Sequence, residues 1–249
     1  MTIHDRATNP ADRAPHWAAH LRDPTARERV LRLLAEHTRH YESGAQFINE
    51  DDTLNAIVCV LSGWVSISKV SETGQIQIID FGMPGDLYDL TSADGHTTPL
   101  NVTVVSNATV ASVPRALWRS LVIDYPEIER LSRDHAASAM SRVSERMLRL
   151  GKGSAEERIA YGFLELGVRL ADSSGQRSNC YDVPLTQLLL AEWLGLSSVH
   201  VCRTLQSLHT RGAVEVSGHM KICVMDADAL TKIAGVSFDT LAQEISPPH

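Results

Sequence analysis

The stretch Leu185-Thr186-Gln187-Leu188-Leu189-Leu190-Ala191-Glu192-Trp193-Leu194-Gly195-Leu196-Ser197-Ser198-Val199-His200-Val201-Cys202-Arg203-Thr204-Leu205-Gln206-Ser207-Leu208 decides the reading of the chain. Its first third predicts a helix with Leu190, Trp193 and Leu194 on an apolar side, and Ala191 is small enough to admit a second helix. Gly195 supplies a left-handed turn residue, Leu196 fills the angle between the helices, and Ser197 caps the second by accepting a backbone N–H. Val201, Leu205 and Leu208 then face inward, whereas Ser198, Val199, His200 and Arg203 face outward. That pattern predicts a helix-turn-helix whose recognition helix runs about three turns. Directly after it, Gly212 to Val224 reads as a two-stranded hairpin, the wing of a winged helix. An ordinary helical hairpin is the competing reading. The capped pair, the outward Arg203 and the following wing together favour the first.

Upstream, Pro126 to Leu150 contains no Gly and no internal Pro, which predicts a long helix. Ala136, Met140, Val143, Met147 and Leu150 fall at alternating spacings of four and three, a narrow heptad seam flanked by Arg142, Glu145, Arg146 and Arg149. Pairing with a second copy of the chain is one reading of that seam, and burial within one chain is the other. Gly151-Lys152-Gly153 is expected to end the helix, followed by another at 154–170 and a polar loop from Asp172 to Tyr181. Between Arg39 and Val113 short strands alternate with turn signals. Ala56 to Leu61 is expected to turn at Ser62-Gly63 into Trp64 to Val70, and Glu72-Thr73-Gly74 leads into Gln75 to Phe81. Pro84-Gly85-Asp86 makes a corner, and Val102 to Val105 and Ala108 to Val113 follow, a pattern typical of a small jelly roll. A short helix is expected at 24–38, preceded by a loose arm. The expected organisation is α+β: an arm at 1–24, a double-stranded β-helix (jelly-roll) sensor domain at 25–125, a dimerisation helix at 126–150 and a winged helix-turn-helix domain at 151–249.

The 249 residues are 43% hydrophobic and 21% charged, enough for a packed core. No apolar run approaches the roughly 20 residues needed to span a bilayer, and Met1 to Arg13 lacks an apolar signal segment. No membrane partner and a cytoplasmic location are expected. The net charge is −7, yet Arg203, Arg211 and Lys221 face only Glu192 and Glu215 between Pro184 and Lys221, so the segment is mildly basic in an acidic chain. Cys59, Cys180, Cys202 and Cys223 stand apart without a C-x-x-C pair, which argues against a disulfide scaffold, a zinc ribbon or a cysteine-held iron–sulfur cluster.

In this order of parts the chain resembles the Crp/Fnr family of bacterial transcription regulators, over roughly residues 25–235. The resemblance implies a homodimer that places two recognition helices in successive major grooves of a pseudo-palindromic double-stranded DNA site, with half-sites about 34 Å apart. It also implies contact with RNA polymerase. Cyclic-AMP-binding members carry Gly-Glu-Leu at the roll corner and Arg-Ser-Ala a little later. Here the corner is Gly85-Asp86-Leu87, the later position is Thr98-Pro99-Leu100, and no Lys or Arg lies between Asp86 and Pro114. A buried phosphate without a cation is costly, so cyclic-nucleotide binding is not expected. No Cys precedes Cys59, so the N-terminal cysteine cluster of oxygen-sensing members is missing too. His96, His135 and Cys59 are weak haem candidates, and the pairs His16/His20 and His37/His40 read as solvated rather than metal-binding. No cofactor is expected, and whether a small-molecule effector exists stays open.

Well-known members place Arg, Glu and Arg on the recognition helix. Only the last matches here, as Arg203, with Ser198 and Val199 at the earlier positions. Arg203 can make the bidentate contact to guanine O6 and N7, Val199 can touch a thymine methyl, and His200 can donate to a base or phosphate. Ser197 and Thr186 complete the expected DNA-binding set. Two rival functions are a cupin-like jelly-roll metal enzyme and an interaction module that has lost DNA binding. The roll offers only His40 and His96, far apart, with no H-x-H pair, nucleophile elbow or phosphate loop, so catalysis has no visible home and no enzyme is expected. Arg203 and the basic balance of the winged segment argue against the second rival.

Overall fold

The computed structural model describes residues 14–92, 95–171 and 178–245. The described residues divide into two compact units, one formed by those within 14–65 and 82–135, the other by those within 66–81 and 136–245.

The first unit is built on a sheet in the order β1-β6-β3-β4, with β2 added to β6 and β5 to β3. The strands are β1 (Thr38–Tyr41), β2 (Gln46–Ile48), β3 (Ala56–Val70), β4 (Ile76–Gly82), β5 (Leu87–Asp89) and β6 (Asn101–Pro114). Residues 66–70 of β3 and 76–81 of β4, nearly the whole of that strand, belong to the second unit. β1 runs antiparallel to β6 from Thr38↔Ala111 to Tyr41↔Ala108, and β5 opposes β3 at Ile57↔Asp89 and Cys59↔Leu87. The core gathers Ile57, Cys59, Leu87 and Val113 from the strands with Val30 and Leu34 of α1 (Pro24–Glu36) and Trp118 of α2 (Arg115–Asp124).

Three expectations change here. Ser62-Gly63 does not reverse the chain: β3 continues through it as a single strand. Gly63 adopts φ +72°, and a Cβ there would fall 2.2 Å from the Asn107 carbonyl oxygen of β6, so glycine lets the strand bend while remaining paired. The segments expected at 102–105 and 108–113 are likewise one strand, β6. The arm is not loose from Ala14 onward. His16–His20 forms a 3-10 turn whose Trp17, only 4% exposed, packs with Ala18 and Leu21 into the core. Its indole Nε1 donates to the Gly85 carbonyl at 2.8 Å. Apolar area outweighed the polar composition of the segment; residues 1–13 lie outside the described residues.

α3 spans Pro126–Lys152 and divides between the units after His135. In the second unit α4 (Ala155–Arg169) starts with a capping box, Ser154 Oγ accepting from Glu157 N–H while the Glu157 carboxylate accepts from Ser154 N–H. α5 (Gln187–Leu194), α6 (Ser198–Thr210), β8 (Val214–Ser217) and β9 (Lys221–Val224) follow the expected pattern, and α7 (Ala227–Ala234) and α8 (Phe238–Ile245) close the unit. The segment expected as loop up to Tyr181 ends in a third strand, β7 (Cys180–Asp182), giving a sheet in the order β7-β9-β8. Cys180 lies opposite Cys223 in the β7–β9 register, and the two form a disulfide. Their separation of 43 residues hid a pairing that only the sheet creates. Among the described residues no helix is long and apolar enough to cross a membrane.

Candidate nucleic-acid interface

Each helix of the pair starts at a local side-chain cap. Thr186 Oγ1 accepts from Leu189 N–H at 3.2 Å to cap α5, and Ser197 Oγ accepts from His200 N–H at 3.2 Å to cap α6. Gly195 sits between them at φ +61°, a conformation that favours glycine, and a Cβ there would meet Leu150 Cδ2 at 2.6 Å and oblige that side chain to shift. Leu190, Ala191, Trp193 and Leu194 of α5 are buried, as are Val201, Thr204 and Leu208 of α6. Thr204 thus joins the inward face beside Val201 and Leu208, while Leu205, expected inward, is half-buried.

Ser197, Ser198, Val199, His200 and Arg203 are all exposed, and Thr186 is exposed at the cap of α5. Val199, at 60% exposure, lies one turn before Arg203 on an outward line that continues to Gln206. Cys202 and Gln206 are exposed as well and extend the expected set, and the i, i+4, i+7 spacing from Val199 is the sequence signal for Gln206. On the wing, His219 and Lys221 are exposed beside the tight turn at Gly218.

Arginines hold this module. Arg158 of α4 donates to Leu150 O at 2.8 Å, Arg149 O at 3.1 Å and Gly153 O at 3.2 Å around the C-terminus of α3. The same guanidinium reaches Gly195 O at 3.1 Å, at the helix-turn-helix turn. A cation at two helix C-termini satisfies carbonyls that have no intrahelical donor. Glu156 anchors the far end of α6, accepting from Ser207 Oγ at 2.7 Å and pairing with Arg211 at 3.0 Å. Trp193 lies edge-on to Phe81, with the Arg146 guanidinium 5.3 Å from its ring centroid.

Below it lies a buried charge network. Asp80 on β4 pairs with Arg142 at 2.6 Å, Arg146 at 3.1 Å and Arg169 at 3.4 Å. Arg146 also pairs with Glu165, which is fully buried, and donates to Ile79 O at 2.6 Å. Burial pushes the Asp80 carboxyl up, but Arg142, Arg169 and Arg146 together outweigh it and hold the group below the usual carboxylate range. Arg149 stacks on Tyr161 at 3.9 Å and pairs with Glu145 at 2.6 Å. Arg142, Arg146 and Arg149, read in sequence as flanks of the seam, therefore occupy the opposite, buried face of α3. The seam itself stands open: Met140 and Met147 are each 66% exposed, Ala136 is exposed and Val143 half-buried. Leu150 is half-buried and lies against Gly195, so it serves intramolecular packing as well.

In the roll, the Pro84-Gly85-Asp86 corner is covered by the N-terminal turn. A Cβ on Gly85 would fall 2.5 Å from the His16 ring, and Asp86 accepts from Met83 N–H at 2.7 Å. Arg115, the first cation after Asp86, is committed to Asp89. His135 is buried with its ring 6.3 Å from Trp17, His40 bonds Thr109 Oγ1 at 2.9 Å, and His37 bonds Leu33 O at 2.9 Å. Cys59 is buried, and burial pushes its thiol up. Saturating cyclic AMP is accordingly expected to leave the melting temperature unchanged. Occupancy at 100 times Kd would add about 2.7 kcal/mol of stability. A clear upward shift in a thermal melt would show that a cation reaches the corner.

Two family profiles match the chain: a cyclic nucleotide-binding domain over residues 38–125 and a Crp-like helix-turn-helix domain over residues 157–233. Among curated relatives, the nitrogen fixation regulation protein FixK of Bradyrhizobium diazoefficiens is 26% identical over 195 residues, covering 78% of this chain and 81% of that protein. The transcriptional activator protein FnrA of Stutzerimonas stutzeri is 24% identical over 206 residues, covering 83% and 84%. The structure of FixK2 from Bradyrhizobium japonicum superposes with a TM-score of 0.71 at 26% identity, covering 80% of this chain and 98% of that one.

Proposed function

The chain belongs to the Crp/Fnr family of bacterial transcription regulators and is a sequence-specific DNA-binding regulator; from that premise we propose how it reads DNA. Two copies pair through Ala136, Met140, Val143, Met147 and Leu150, and the two α6 helices enter successive major grooves of a pseudo-palindromic site in the cytoplasm. The observation that carries this reading is the outward line of α6, where Val199 and Arg203 are exposed on a helix capped and braced from behind. Arg203 takes guanine O6 and N7 through its guanidinium fork, Val199 meets a thymine methyl, and Ser197, Ser198, His200 and Thr186 contact phosphates or base edges. Lys221 of the wing adds a phosphate contact. RNA polymerase is the further partner, in keeping with relatives named as transcriptional activators. The cupin-like enzyme is not favoured, because the named relatives are regulators.

The test begins with selection of the preferred site from a random DNA library. Arg203→Ala is then expected to lose about 1–3 kcal/mol per half-site and to relax discrimination at one symmetric guanine. Binding is measured to the selected site and to variants at each position, at two salt concentrations. Equal weakening of every variant with a shallower salt slope would make Arg203 a backbone anchor and move specificity to Ser198, Val199 and His200.

A further inference from the structure

The Cys180–Cys223 bridge closes a ring around the DNA-reading module. Within its 43-residue separation lie α5, the Gly195 turn, α6 and β8. Both cysteines are half-buried, so a small reagent reaches them, whereas Cys59 is sealed in the core of the roll. β7 is a three-residue edge strand that leads through Val183 and Pro184 into the cap of α5. Cys223 lies on the central strand β9, two residues beyond the exposed Lys221. Apart from the bridge, β7 and its flanks are tied to the wing by strand pairing and by bonds such as Val224 N–H to Asn179 O at 2.7 Å and Val183 N–H to Met220 O at 3.2 Å. The one covalent tie between the entry to α5 and the wing is thus accessible to thiol chemistry. In the cytoplasm, where thiols are kept reduced, such a tie is made and broken rather than permanent.

We propose that Cys180 and Cys223 are a reversible thiol–disulfide modification site whose reaction partner is a low-molecular-weight disulfide of the glutathione type, and that closing the ring strengthens DNA binding. The thiolate of one cysteine attacks a sulfur of the small disulfide, forming a mixed disulfide and releasing one small thiolate. The second cysteine's thiolate then attacks the protein sulfur of that mixed disulfide, forming the Cys180–Cys223 bond and releasing the second. The two cysteine protons pass to the released thiolates, so two protein thiols are oxidised and one small disulfide is reduced to two thiols. The outward residues of α6 are untouched. Ring closure instead restricts the unfolded chain and removes freedom of β7 and the wing that binding would otherwise have to order. The DNA effect rests on the role given to α6 above; the linkage itself does not.

The full-length protein is incubated with excess glutathione disulfide or with dithiothreitol, and peptide mapping locates the linkage. A Cys180–Cys223 link is expected in the first case, with a melting temperature roughly 5–15 °C above the reduced form and an affinity for the selected DNA site about 3–10-fold tighter. Cys180→Ser and Cys223→Ser are each expected to match the reduced wild type in melting temperature and affinity under either reagent, since the remaining cysteine forms only a mixed disulfide and no ring closes. The wild-type comparison stands alone if either variant fails to fold. Absence of the link under excess glutathione disulfide overturns the proposal, as does a link that leaves melting and affinity unchanged. A response that survives in both variants also overturns it, by assigning the chemistry to Cys202. Should neither redox form bind DNA while the link and the melting shift appear, the reading of α6 fails and the modification site stands.

Discussion

Asp80→Ala is expected to destabilise the protein by about 3–5 kcal/mol, the cost of removing one partner from a buried ion network. The carboxylate sits within 3.4 Å of Arg142, Arg146 and Arg169, all three nearly inaccessible to water. Its loss leaves Glu165 as the one carboxylate paired with Arg146 and Arg169 among the described residues. The uncompensated charge must then draw water into the interior or force the arginines outward. A thermal melt should fall by roughly 6–20 °C. Replacing Asp80 and Arg142 together by leucine and methionine should recover much of the loss, because a paired charge and a packed apolar group of similar volume are close in free energy. A single variant with an unchanged melt would show that the pairs are solvated in solution.

The same network sets the response to acid. Asp80 is held below its unfolded pKa, so its contribution is fully present above the unfolded carboxylate value, about 3.9. It is lost only as pH falls through the depressed folded value. Stability attributable to Asp80 is therefore flat around neutrality and declines below about pH 4, and the Asp80→Ala melt should converge on the wild type in strong acid.

Met140→Glu with Val143→Glu is expected to convert a dimer to monomers. Met140 and Met147 are each 66% exposed on a face of α3 opposite the buried arginines, so an apolar stripe has no cover among the described residues. In the proposed assembly each introduced carboxylate would be buried near its symmetry mate, at a cost of several kcal/mol for each. Because the side chains point away from the protomer's own core, its melt should change little while sedimentation shifts to the monomer mass and affinity for the two-fold DNA site collapses. A double variant that sediments as a dimer would place the interface elsewhere.

What was legible in the sequence was whatever local chemistry decides. The Gly195 turn, the Ser197 cap and the apolar spacing of α5 and α6 depend on neighbours within four residues, and they mark the helix-turn-helix before any packing is known. The heptad spacing of Met140, Val143 and Met147 likewise separates one face of α3 from the other. Tertiary structure decided the rest. Whether Ser62-Gly63 turns or bends depends on the β6 backbone beside Gly63, more than forty positions away. Cys180 and Cys223 become a pair only when β7 joins β9. Arg142, Arg146 and Arg149 read in sequence only as flanks of the seam. Asp80 and Glu165 make the burial of Arg142 and Arg146 possible, as the Tyr161 ring and the Ala234 carbonyl do for Arg149, and the approach of these partners is a property of the folded chain that no local pattern encodes.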